Sequence, residues 1–137
     1  MLTRAEQAEI KSHELLVDVK AASEWEWAVE KDPSGLNQHQ PGAKLDNGKP
    51  NLDLVLGEFG RALTGVGKVG TFGANKYTPR GWLEVDNAIE RYLSAMLRHY
   101  LAMRQGEEFD KDSNLPHAYH MAWNALAVAE LKDRSDL

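Results

Sequence analysis

The chain has 137 residues, 42% hydrophobic and 27% charged, which suits a single soluble domain built on one core. A net charge of −5 argues against a general duplex-binding surface, which needs many phosphate contacts, but leaves room for a local basic pocket that holds one small anion. The absence of cysteine excludes disulfides and thiolate sites, and no apolar run approaches the roughly 20 residues of a membrane span, so a cytoplasmic protein without a membrane partner is expected.

The charged N-terminus, MLTRAEQAEIKSHE, is unlike a secretory signal. Thr3-x-x-Glu6 is a capping-box pattern, and an imperfect stripe of Leu15, Leu16, Val19, Ala22 and Val29 predicts a helical segment over 1–31. From Asp32 to Pro50 three prolines, three glycines and several Asn, Gln and Asp residues predict a long loop of functional type. A helix is expected from Leu52 to about Val69, with Phe59, Leu63 and Val66 on one face. Its many glycines cost helix stability, so close approach of another helix or a ligand is the expected reason for them. The segment Gly73–Trp82 reads as a turn-rich link. A third helix is expected from about Glu84 to Gln105, with Val85, Ile89, Tyr92, Met96, Tyr100 and Met103 on its apolar face and Gly106 ending it. A last helix is expected from about Pro116 to Lys132. Strand signals are poor, and the fold class is all-α: a compact helical domain of about four main helices and a long loop, with 51–137 as its core.

Four constellations carry candidate chemistry. On the last helix, His117, His120 and Asn124 fall at i, i+3 and i+7, a narrow polar stripe in an otherwise apolar, hence buried, helix. Buried imidazoles and amides need partners, which either an internal hydrogen-bond network or a ligand or metal would supply. Before that helix, Glu107, Glu108, Asp110 and Asp112 cluster; Glu107-x-x-Asp110 offers oxygen ligands to Mg²⁺ or Mn²⁺, and a solvated acidic turn is the alternative. On the third helix, Asn87, Arg91, Ser94 and Arg98 share a face bordered by His99, which suits a phosphate or a solvated, ion-paired surface. In the loop, Lys44, Asp46 and Lys49 lie among Gly42, Gly48 and Pro50, where lysines can approach a phosphate or simply be solvated. No P-loop, dinucleotide, EF-hand, zincin or Ser–His signature is present.

The order GAKLDNGKPNLDL, GANKY followed by Trp82, RYLSAMLRHYLA, and GEEFD ending in the PHxxHxxxNAL run resembles the phage dATP/dGTP diphosphohydrolase N-terminal family, whose members are associated with MazG-like enzymes. The resemblance covers roughly Pro41 to Leu131. It implies a helical domain, with a MazG-like bundle as one form. It also implies metal-dependent conversion of a purine deoxynucleoside triphosphate to monophosphate and pyrophosphate, in phage nucleotide metabolism within the host cytoplasm. MazG-type enzymes place an ExxE pair and an ExxD pair on successive core helices. Here Glu6-x-x-Glu9 sits at the N-terminus, Glu107-x-x-Asp110 sits in a turn, and His117 and His120 stand where acids would fall. Either the metal site differs, or the module binds nucleotides without hydrolysing them, sequestering a nucleotide or a nucleotide-derived immune signal.

On residue chemistry, Glu107, Asp110, His117 and His120 are the catalytic and metal-ligand candidates for Mg²⁺ or Mn²⁺. Lys44, Asp46, Lys49, Lys76, Arg91, Arg98 and His99 are candidate nucleotide contacts, Tyr77 and Trp82 candidate base-stacking residues, and Asn124 a pocket-lining group. A homo-oligomer is expected. A purely helical interaction module, its histidine stripe facing a partner subunit, is the third reading.

Overall fold

The computed structural model describes residues 30–135, and the N-terminal helix expected over 1–31 lies outside them save for Glu30 and Lys31, which are not helical. The chain divides at Pro50 into two compact units. In the first, residues 30–50 form turns without a helix, as the loop composition predicts. Asp32 organises them: its Oδ1 accepts the Ser34 N–H (2.7 Å) and its Oδ2 the Lys44 N–H (2.7 Å). These backbone donors, Lys44 foremost, hold its carboxyl below the usual value of 3.8.

The second unit is all-α among the described residues. A short helix α1 (Asp53–Leu56) is followed by α2 (Gly60–Lys76), a 3₁₀ turn (Gly81–Glu84), α3 (Ala88–Arg104) and α4 (His117–Ser135). The single helix expected from Leu52 is broken at Phe59 (φ −106°, ψ 28°), between Gly57 and Gly60, which weaken helical continuity. Helix α2 then runs past the expected end at Val69, so Gly73 to Lys76 are helical. Tertiary contact offsets the poor propensity: a methyl group built on Gly65 would come within 2.5 Å of the Tyr119 ring, and one on Gly70 within 3.4 Å of the Trp123 indole. Close helix–helix approach therefore accounts for these two glycines.

Helix α3 starts at Ala88 rather than Glu84, because Gly81–Glu84 closes as a 3₁₀ turn and Asn87 takes a left-handed conformation (φ 51°). Its C-terminus is closed by Gly106 (φ 89°), with the Gly106 N–H on Met103 O and the Glu107 N–H on Ala102 O, both 3.0 Å. The chain then turns back. Asp110 N–H reaches Leu115 O (2.9 Å) and His117 N–H reaches Glu108 O (3.0 Å), which fixes the acidic turn against the first residues of α4.

Helix α4 packs on both α2 and α3. Its buried residues are His117, His120, Asn124, Ala127 and Val128, and those of α2 are Gly65 and Val69. The expectation that α4 is buried all round is corrected, since Ala125, Leu126 and Ala129 are exposed. The apolar face expected on α3 is only half-covered: Ile89, Tyr92 and Met96 are partly buried, whereas Tyr100 and Met103 are exposed. Beside them Leu93, Leu97 and Leu101 form an exposed strip at i, i+4 and i+8.

Candidate functional site

The polar stripe of α4 is buried as deeply as its apolar neighbours Ala127 and Val128. His117, His120 and Asn124 are 5%, 7% and 5% exposed. Helical spacing places them in line, and the neighbouring elements bring them partners. Asn124 Nδ2 donates to His120 O (2.7 Å), bonding back into its own helix. His99, from α3, meets both histidines: its Nδ1 lies 2.8 Å from His117 Nδ1, and its ring stacks on His120 with centroids 4.4 Å apart and planes 12° from parallel.

The acidic turn supplies the third side. Asp110 Oδ2 accepts from Ser113 N (2.8 Å) and Ser113 Oγ (2.9 Å), and Ser113 Oγ is also 2.7 Å from His120 Nε2. Asp110 Oδ2 is 3.8 Å from His120 Nε2, and Glu107 Oε2 is 3.8 Å from His117 Nε2. Among the described residues, His117 Nε2 is the one buried side-chain nitrogen or oxygen without a hydrogen-bond partner. One ligand atom each from His99, Asp110 and His117 lie within 4.8 Å of one another.

Burial, followed by the proximity of His120 and His117, pushes His99 from its ordinary value of 6.5 down to about 4. Burial also lowers His120, against the pull of Asp110. For Asp110 desolvation acts upward, yet the Ser113 hydrogen bonds and the two histidines leave it below the ordinary 3.8. At neutral pH His99 and His120 are thus neutral imidazoles beside the Asp110 carboxylate, groups suited to a divalent cation or to proton acceptance.

A cavity of about 800 Å³ opens onto this cluster. His99, Asp110 and His120 are among its lining residues. Lys76, Arg80, Arg91 and Arg98 bring positive charge to it, and Phe72, Tyr77, Trp82, Tyr92 and Trp123 bring aromatic surface. Trp123 is held edge-on by Trp82 (5.8 Å) and Tyr92 (5.5 Å). Lys76 is not free for an anion: its Nζ pairs with Asp112, which raises its pKa. Arg98 is held by Ser94 (3.0 Å) and Arg91 reaches Asp86 O (3.4 Å).

The residues singled out from sequence are therefore only partly gathered. Asp110, His120, Lys76, Tyr77, Trp82, Arg91, Arg98, His99 and Asn124 all line the cavity. His117 sits behind His99, and Glu107 faces His117 from outside the lining. Lys44, Asp46 and Lys49 belong to the first unit, where Lys49 pairs with Glu30 (2.9 Å) and Lys44 lies 4.0 Å from Asp46. His99, grouped by spacing with the anion-facing residues, stands at the centre of the histidine cluster. A second ExxD pattern, Glu130 to Asp133, lies on the exposed end of α4, with Glu130 bonded to Arg134 (2.8 Å). Sequence reasoning missed Ser113, whose signal was its place three residues after Asp110, and Phe72, Arg80, Tyr92 and Trp123, whose convergence is non-local.

Fold and site together define a helical domain with a cationic, aromatic-walled cavity that imidazole and carboxylate groups help to line. The chain belongs to the dATP/dGTP diphosphohydrolase N-terminal family, whose sequence model matches residues 39–137. A dATP/dGTP diphosphohydrolase of Salmonella phage PMBT28 is 35% identical over 87 residues, which is 64% of this chain and 28% of that protein. The chain thus spans under a third of the length of the curated relative it matches. No solved structure matches the chain.

Proposed function

We propose that the cavity binds a purine deoxynucleoside triphosphate, and that the protein hydrolyses it to the monophosphate and pyrophosphate. The observation that carries this reading is the convergence, in one cavity, of aromatic surface, arginines and a neutral imidazole–carboxylate cluster. Its volume of about 800 Å³ falls within the roughly 300–1,000 Å³ of small-molecule sites. The family's name and that of the phage relative supply the substrate class.

Each group has a role set by its chemistry. Tyr77, Trp82 and Trp123 offer ring surface to a purine. Arg98, next to His99, and Arg91, about two turns earlier on α3, suit the phosphate oxygens, because guanidinium groups match them in bidentate geometry. The donors His99, Asp110 and His117 fit a divalent cation, and of the Mg²⁺ and Mn²⁺ that the family resemblance implies the two imidazoles favour Mn²⁺; the cation when bound would polarise a phosphoryl oxygen and acidify an attacking water. His120, aligned by Ser113 and neutral at pH 7, is placed to accept the proton of that water. Among the described residues no helix is long and apolar enough to cross a membrane. The exposed Leu93, Leu97 and Leu101 strip supports a homo-oligomer.

The test is chromatography of deoxynucleotides and ribonucleotides incubated with the purified protein and a divalent cation. Monophosphate and pyrophosphate from dATP and dGTP are expected. Nucleotides that bind but emerge intact would replace hydrolysis by sequestration, and nucleotides that neither bind nor react would remove the nucleotide reading.

A further inference from the structure

Two imidazole nitrogens facing each other in a buried place call for something between or upon them. His99 Nδ1 and His117 Nδ1 are 2.8 Å apart. A single hydrogen bond between neutral rings would satisfy that pair. It leaves His117 Nε2 buried and unpartnered, and buried polar atoms are rarely left so. Two nitrogens bound to one ion at about 2.1 Å and at right angles lie about 3.0 Å apart, close to the observed spacing. Asp110 completes a set of three. Its Oδ2 carries both Ser113 bonds, so Oδ1 is the oxygen left for an ion.

We infer that His99, Asp110 and His117 form a two-histidine, one-carboxylate centre for a first-row transition-metal dication, selective against Mg²⁺. Imidazole nitrogen is a poor ligand for Mg²⁺, which demands oxygen in octahedral array, and a good one for Mn²⁺, Fe²⁺, Co²⁺ and Zn²⁺. The centre is assembled from three separate places: α3, the acidic turn and the start of α4. Three protein ligands leave positions open toward the cavity, which Asp110 and His99 both line. The three donor atoms lie within 4.8 Å of one another, and ligands at right angles on one ion lie about 3.0 Å apart, so binding draws the group together by up to about 2 Å.

Glu107 then has a distinct task. A histidine that binds metal through one nitrogen carries its proton on the other and commonly gives it to a carboxylate. His117 Nε2 faces Glu107 Oε2 at 3.8 Å, and a rotation of the exposed Glu107 side chain would bring it into hydrogen-bond reach. Glu107 is a positioning residue in this arrangement and not a ligand. The catalytic use of the ion rests on the nucleotide reading above; its binding does not.

The experiment is calorimetric titration of the chelator-treated full chain with Mn²⁺, Co²⁺, Zn²⁺ and Mg²⁺ separately, with the visible spectrum recorded for Co²⁺. One ion per chain is expected, with the transition metals bound roughly tenfold or more tighter than Mg²⁺. His99→Ala and Asp110→Asn should each weaken Co²⁺ binding and alter its absorption bands. Glu107→Gln should weaken it by roughly 10-fold to 100-fold while leaving the bands in place. Circular dichroism of each variant separates lost binding from lost folding, and His99, only half-buried, is the substitution best tolerated. Absence of a Co²⁺ site, parity with Mg²⁺, or unchanged Co²⁺ affinity in a folded His99→Ala protein would overturn the assignment. A selective Co²⁺ site without nucleotide hydrolysis would leave it standing and remove only the proposed activity. Hydrolysis supported by Mg²⁺ with no selective site would do the reverse.

Discussion

Replacing Gly65 by alanine should destabilise the protein, although alanine is the better helix former. Gly65 is buried inside α2, where glycine costs about 1 kcal/mol relative to alanine. Gly67, two residues on in the same helix, is exposed, and a methyl group there meets nothing within 4 Å. A methyl group on Gly65 would lie 2.5–2.6 Å from three atoms of the Tyr119 ring, against a normal carbon–carbon contact of about 3.5–4.0 Å. Tyr119 must therefore retreat by about 1 Å, or α2 and α4 must separate. Overpacking of this kind costs about 1–3 kcal/mol. Both substitutions share the gain in propensity, so the difference between them isolates the steric cost. Gly67→Ala should stabilise by up to about 1 kcal/mol, and Gly65→Ala should fall below it by about 1–3 kcal/mol. Urea unfolding followed by far-ultraviolet circular dichroism measures both. Tyr119→Leu should recover part of the loss, since the two sites touch and their effects are not additive. A Gly65→Ala protein as stable as Gly67→Ala would refute the close approach of α2 and α4 on which the cavity depends.

Other consequences are testable separately. Ser113→Ala removes the hydroxyl that holds Asp110 and lies against His120, and should cost about 1 kcal/mol of stability and a larger share of turnover; unchanged turnover would show that this alignment is idle. Leu97→Glu places a charge in the exposed strip of α3 and should shift the protein to smaller assemblies in light-scattering chromatography; an unchanged mass would mean that the strip is not the oligomer contact. The folded-state pKa of Asp32 is depressed, so its contribution to loop order is fully present above the unfolded value of 3.8 and is lost as pH falls through the lower folded value. The amide resonances of Ser34 and Lys44 should move together over that window in wild type, and Asp32→Asn should flatten the change.

The element types were legible from periodicity, and their ends were not. Gly57 and Gly60 were expected, with the other glycines of one helix, to mark close approach of a helix or ligand, but the chain breaks at Phe59 between them. The start of α3 was read too early because Val85 continues the apolar spacing while the backbone is still extended there. The stripe of His117, His120 and Asn124 was legible because three polar groups at helical spacing in an apolar helix require partners. The identity of those partners was not. His99 borders both an apolar and a cationic face of α3, and spacing along one helix cannot say which neighbour it meets. Similarly, the walls of the cavity come from α2, the 3₁₀ turn, α3, the acidic turn and α4, so Phe72, Tyr92 and Trp123 carry no local signal of their convergence.

The central claim is that the cavity on α2, α3 and α4 is a nucleotide site. The most direct measurement is titration of the protein, with Mn²⁺ present, by a dATP analogue whose α,β bridge is a methylene group and resists hydrolysis. Saturable binding at one site per chain is expected, with affinity falling by roughly tenfold or more in Arg98→Ala, the loss of one charged hydrogen-bonding partner. No binding, or binding equally tight in Arg98→Ala and in a Trp123→Ala protein that remains folded, would contradict it.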